Sequence, residues 1–164
     1  MRRLFVVLGG VLVLAVANIG IWQKQQIVDS GRVVFLALAP VDPRSIMQGD
    51  YMALRFKVMN DAFPGRPDDL PGDGRLIVSL DDRGVGTFVR RDTGGPLGDR
   101  EVAVRYRVRD GIPRFSTNAY FFQEGTGSLY TPARFGEFRV SAAGDAILTR
   151  LRNDTLEPLG PAGR

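Results

Sequence analysis

Residues 4–22, LFVVLGGVLVLAVANIGIW, contain one polar side chain, Asn18, and no charge. A helix rises about 1.5 Å per residue, so this stretch spans roughly 28 Å, the thickness of a bilayer's hydrocarbon core. Arg2 and Arg3 precede it and favour a cytoplasmic N-terminus, although Lys24 on the far side weakens the asymmetry; Trp22 suits the far interface. The rest of the chain is then expected outside the cytoplasmic membrane, most simply in a bacterial periplasm. A cleaved signal peptide competes with this reading, because Ala15-Val16-Ala17 is a small-x-small site after a short basic tip. Apolar character continues past Ala17 through Ile19, Gly20, Ile21 and Trp22, which favours retention as an anchor. The expected organisation is an anchor over residues 1–22, a polar stalk or helix continuation over 23–30, one domain over 31–152 and a loose tail over 153–164.

Composition narrows what that domain does. The 164 residues suffice for one domain, and 20 Gly with 10 Pro imply many turns and short strands. There is no Cys and no His, so disulfides, thiolate metal sites, lipoprotein acylation and His-based general-base or metal chemistry are closed to this sequence. No cofactor and no metal site is indicated. Without Arg2 and Arg3, 20 basic residues face 18 acidic ones, and opposite charges interleave along the chain. With no basic run interspersed with stacking aromatics, nucleic acid is not an expected partner.

Period-two patterns dominate after Ser30, which predicts a mainly β domain: a compact, largely antiparallel sandwich or barrel with at most one short extra helix. VVFLALA, residues 33–39, reads as a central strand covered on both faces. Residues 51–58 alternate, with Met52, Leu54, Phe56 and Val58 inward and Tyr51, Ala53, Arg55 and Lys57 outward. Leu76, Val78 and Leu80 face inward on the next strand, and Asp81-Asp82-Arg83-Gly84 turns it into residues 85–90. EVAVRYRVR, residues 101–109, is the clearest strand: Val102, Val104, Tyr106 and Val108 form one face, and Arg105, Arg107 and Arg109 lie on the other. Asp110-Gly111 turns into a strand over 115–122, and residues 138–141 form a hairpin with 146–151. Only residues 127–134 read as a short helix. The three alternating Arg are a possible anion-binding face, or a solvated face steadied by neighbouring acids.

The stretch VDPRSIMQGDYMALRF, residues 41–56, admits two readings. Its Ser-x-Met resembles the nucleophile region of a membrane-bound signal peptidase, which would make Ser45 a nucleophile. Such a Ser needs a desolvated Lys amine as base. Lys24 lies beside the anchor, Lys57 falls on the outward strand face where an ammonium stays protonated, and an Arg does not deprotonate. The alternative is structural: Asp42-Pro43 opens a turn, Gly49 supplies an unusual backbone conformation, Asp50 ties the turn, and Leu54 and Phe56 enter the core.

GDYMALRF, residues 49–56, resembles the G-D-Y-x-x-L-x-Y signature of the bacterial GDYXXLXY family, with Phe56 in place of the last Tyr. DPRSIMQGDY looks like that family's lead-in. YFFQEGTG, residues 120–127, resembles its E-G-x-G segment through Glu124, Gly125 and Gly127, and ARFGEFRV followed by GDAILTRL resembles its closing hairpin. The likeness covers residues 33–151. It implies a membrane-anchored protein without an assigned activity, often accompanied by a multi-spanning membrane protein as partner. The expected function is a binding or accessory subunit whose motif residues Gly49, Asp50, Tyr51, Leu54, Phe56, Glu124, Gly125 and Gly127 serve fold or docking. The runner-up is a hydrolase, using either Ser45 or an Asp50/Glu124 carboxylate pair; a sensor binding an anion through the Arg face is third. For Glu124, pairing with one of Arg105, Arg107 and Arg109 is the simplest expectation.

Overall fold

The computed structural model describes residues 2–39, 47–48, 51–65, 72–109, 111–115, 117 and 119–161. Its first element, helix α1 (Arg2–Ser30), is 29 residues long and runs unbroken through the expected anchor and stalk. Within it, Val7–Ser30 is long and apolar enough to cross a membrane. Its Val, Leu and Ile side chains between residues 7 and 21 lie exposed.

The helix passes into the β domain with one intervening residue, Gly31. The Gly31 N–H donates to the Ile27 carbonyl at 2.9 Å. A Cβ at Gly31 would meet that carbonyl and approach the backbone of Arg139 and Val140 within 3.2 Å, so only glycine fits the junction. Arg139 donates to the Gly31 carbonyl at 3.3 Å from the sheet side.

Among the described residues ten strands follow in two sheets. They are β1 (Arg32–Ala37), β2 (Met47–Gln48), β3 (Tyr51–Ala53), β4 (Gly74–Leu80), β5 (Val85–Arg91), β6 (Glu101–Arg109), β7 (Ile112–Arg114), β8 (Ala119–Phe121), β9 (Phe135–Val140) and β10 (Ala146–Arg152). Seven form one curled sheet in the order β10-β9-β1-β5-β4-β6-β7, and three form a small sheet in the order β2-β3-β8. Among the described residues every strand pairing is antiparallel except that of β1 with β5. The curl brings the β9–β10 turn against β6: the Arg105 N–H donates to the Gly144 carbonyl at 2.8 Å, and the Arg105 guanidinium reaches Asp145 at 3.2 Å.

The enclosed core is built from alternate residues. Val34 and Leu36 of β1, Leu76 and Val78 of β4, Val104 of β6, Phe138 of β9 and Leu151 of β10 are fully buried. Each such side chain withdrawn from water contributes about 1.5–3 kcal/mol. The residues expected inward on β4 (Leu76, Val78, Leu80) and on β6 (Val102, Val104, Tyr106) are buried, but the opposite face is partly covered too, at Ile77, Ala103 and Glu137. β1 differs: Val34 and Leu36 are sealed, but Val33, Phe35 and Ala37 are half-buried, so one face only is fully covered.

Three local expectations are corrected. The strand expected over 51–58 ends at Ala53, and residues Lys57–Ala62 form helix α2. Val58, Met59 and Ala62 are its buried stripe, while Lys57 bridges Asp61 one turn on at 2.7 Å. Pro64 follows Phe63 and stops the helix, because the residue before proline is disfavoured in the helical region. The segment expected to be a short helix over 127–134 holds a single 3-10 turn, Gly127–Tyr130. The strand expected over 115–122 is shorter, β8 (Ala119–Phe121) in the small sheet, and it is preceded by a separate strand, β7, which ends at Arg114 in the large sheet.

The tail expected to be loose is held by hydrogen bonds and packing as far as Leu159. Asn153 accepts from the N–H groups of Thr155 and Glu157, and the Leu159 N–H donates to Leu151 at 2.9 Å. Arg152 donates to the Leu156 carbonyl at 2.7 Å, and Leu159 packs against the core.

Candidate functional site

The described parts of the motif segments converge on one end of the domain. Tyr51 and Met52 of β3 stand in register with Phe121 and Tyr120 of β8, so the GDYMALRF and YFFQEGTG segments are neighbouring strands. Phe56 lies in the core, edge-on to Phe138 at 5.1 Å between centroids and 5.8 Å from Phe115. A Cβ at Gly136 would come within 3.0 Å of both Phe56 and Leu148, which brings the closing hairpin against the end of the motif. Beyond β1, Leu38 bridges to Phe56, and the Ala39 N–H donates to the Arg55 carbonyl at 2.8 Å.

The two faces of the motif strand have different fates. Met52, Leu54 and Phe56 are buried. On the outer face Tyr51 packs against Phe121 with centroids 5.8 Å apart, and Phe121 remains 75% exposed. Further along the same face, Ala53 stands opposite Ala119.

Beside this face lies a groove of about 460 Å³. Leu54, Arg55 and Phe56 of the motif form one wall, Met59 and Phe63 of the α2 region a second, and Ile112 to Phe115 with Thr117 a third. Its described lining is apolar and basic, with the neutral polar side chains of Asn60 and Thr117 and no carboxylate.

Among the described residues, the cations at the groove have no acidic partner. Elsewhere, Arg75 pairs with Asp92, Arg90 with Glu101, Arg100 with Asp82, Arg105 with Asp145, Arg109 with Asp73 and Arg152 with Glu137. Arg55, Arg107 and Arg114 make no ion pair among the described residues. Arg107 and Arg114 stand directly opposite each other on β6 and β7. Like charges in such a cross-strand position repel and destabilise the pair. The row Arg105, Arg107 and Arg109 is therefore divided, its ends paired with acids and its centre open.

The remaining candidates are placed as follows. Ser45, Gly49 and Asp50 lie outside the described residues. Glu124 and Gly125 form an exposed turn, with Gly125 at φ 79°, a left-handed conformation that glycine adopts without strain. Glu124 makes no ion pair among the described residues, so the expected link to the Arg row is not formed. Gly127 opens the 3-10 turn that delivers Tyr130 into the core, where its ring lies 5.2 Å from those of Tyr120 and Phe122. Burial is the largest effect raising the Tyr120 hydroxyl above its ordinary pKa. Lys57, 62% exposed, is committed to Asp61 and offers no desolvated amine. No group of His, Cys, Asp and Glu able to hold a metal occurs among the described residues.

Sequence reasoning missed Arg55 and Arg114 as site residues. Arg55 carried a signal, since its outward parity inside the motif left it unexplained by packing. Arg114 carried none, because its register against Arg107 is a tertiary fact.

These observations define a class: a β domain joined directly to a membrane-length apolar helix, with a signature motif that builds one end of the core and one wall of a basic groove. The GDYXXLXY protein family model matches residues 13–151, and the chain belongs to that family. The match begins within α1, so the helix junction is included in it. No curated protein and no solved structure matches the chain.

Proposed function

We propose that this is a single-pass, N-in membrane protein whose β domain lies in a bacterial periplasm and acts as a binding or accessory subunit of a multi-spanning membrane protein. The observation that carries this reading is α1, whose apolar side chains project from the domain along the segment suited to span a bilayer. Burying such a surface is strongly favourable, and lipid or transmembrane helices of a partner supply the cover.

Retention of the helix is supported at its C-terminal end. Ile27 and Val28 are half-buried, and the junction through Gly31 is held by hydrogen bonds from both sides. The family match also starts before the small-x-small site at Ala17. A binding role is supported by exposed Phe121, packed on half-buried Tyr51, and by the groove, whose cations Arg55 and Arg114 make no ion pair among the described residues.

The test is purification of the tagged full-length chain from its native membranes in mild detergent, followed by mass spectrometry. A stoichiometric multi-spanning protein, with α1 intact in the recovered chain, is the expected result. Recovery of the chain alone, or of a chain shortened after Ala17, would contradict it.

A further inference from the structure

We propose that the groove between the motif strand, α2 and β7 is a docking site for an extended peptide segment of a partner protein, a segment that carries a carboxylate beside apolar side chains. This rests on the binding-subunit reading above and assigns it a site and a chemistry.

Charge argues for the carboxylate. Arg107 and Arg114 face each other across β6 and β7, with no acid to separate them among the described residues. Such a pair is unfavourable until an anion comes between its members. Two guanidinium forks so placed accept a carboxylate through charge-assisted hydrogen bonds. Of this pair Arg114 lines the groove, and Arg55 is the second cation in that lining. The apolar part follows from Leu54, Phe56 and Phe115, which line the same groove.

Position argues for a protein rather than a lipid headgroup. Arg32 begins β1 beside the end of α1, whereas Leu38, six residues on, bridges to Phe56. At about 3.3 Å per residue, the groove lies roughly 20 Å along β1 from the helix junction. Its walls include the exposed Arg55, Asn60 and Ile112, so it is open along its length, as a peptide requires.

Strand addition is not the docking mode. β7 is the edge strand of the large sheet, and Arg109 pairs with Ile112 across a two-residue turn. The next pair, Val108 with Pro113, directs the position of a main-chain N–H to the free edge, where proline has none. Specificity therefore comes from side chains in the groove.

The experiment selects random short peptides on the full chain in detergent micelles, and in parallel on the Arg107→Glu and Arg55→Gln/Arg114→Gln variants. Arg107→Glu replaces a repelling pair with a complementary one, so it leaves a folded domain in which the charge of Arg114 is neutralised. The expected outcome is enrichment of peptides combining Asp or Glu with Leu, Ile, Phe or Val, with binding weakened at least tenfold in both variants. Peptides without carboxylates, equal selection by both variants, or no selection at all would overturn the proposal. Dihexanoyl phosphatidylglycerol is titrated separately; Arg-dependent binding of that lipid with no peptide selected would assign the groove to a headgroup instead. A chain that co-purifies with a multi-spanning protein but selects no acidic peptide would keep the subunit reading and lose this one.

Discussion

At the residue scale, three charged side chains carry more than surface solubility. Glu137 is buried on β9 and is held by Arg152, whose Nε lies 2.7 Å from its Oε2. The Arg152 guanidinium also stacks over Phe35, 5.5 Å from the ring centroid. Removing one partner of a buried pair leaves the other charge uncompensated. Arg152→Ala is expected to cost about 3 kcal/mol, measured by chemical denaturation. Glu101 carries a second prediction. Its carboxyl is held below its ordinary pKa chiefly by the Arg90 side chain, then by the Gly98 N–H. A carboxyl lowered in the folded state adds stability above its unfolded value of about 4.3, lost as pH falls through the lower folded value. Glu101→Gln should therefore flatten that part of the acid-unfolding curve while leaving its neutral limb parallel to the wild type. The same scale shows what the sequence concealed. The Arg row on β6 was legible as a face, yet which of its members are neutralised depends on Asp145 and Asp73, far away in the chain.

At the element scale, legibility followed the strictness of the pattern. β6 was readable in its bounds because apolar and charged positions alternate along it, with buried Ala103 the one break, and the turn after β4 because Asp81 accepts from both Arg83 and Val85. α2 was missed because buried Leu54, Phe56 and Val58 keep strand parity while the backbone changes to helix beneath Val58, and Met59 breaks that parity too late to be heard. The split of β7 from β8 was also hidden, since alternation identifies a face but not the sheet that owns it. Two glycines test the joints between elements. At Gly136 a methyl would press on Phe56, Leu148 and Phe138 at 3.0–3.1 Å. Gly136→Ala is expected to cost about 1–3 kcal/mol by forcing the aromatic cluster off its rotamers, read as a lowered denaturation midpoint. At Gly31 the obstacles are backbone atoms of α1 and β9, which cannot swing aside. Gly31→Val should release the helix from the sheet, seen as faster amide exchange at Arg139 and Val140 with the core strands still protected.

For the whole molecule, the architecture couples a membrane-length helix to a curled sheet through one glycine, and places the signature motif at the other end of β1. The fold class and the anchor were legible from hydropathy and alternation alone, because both are one-dimensional patterns. The groove was not, since its three walls come from segments separated by up to some sixty residues and meet only through the pairing of β6 with β7 and of β3 with β8. The family membership accounts for the convergence: the segments that resemble the signature are those that pack together around Phe56 and Tyr51. The central claim is that this end of the domain is the contact surface for a membrane partner. The most direct measurement places a photo-crosslinking amino acid at Ile112 or Phe121 in the full-length protein, with Val89 as an exposed position outside the groove, and irradiates native membranes. A crosslink from Ile112 and Phe121, absent from Val89, to one multi-spanning protein is the result this account predicts. Crosslinks from Val89 alone, or none from the groove end in membranes where the partner co-purifies, would contradict it.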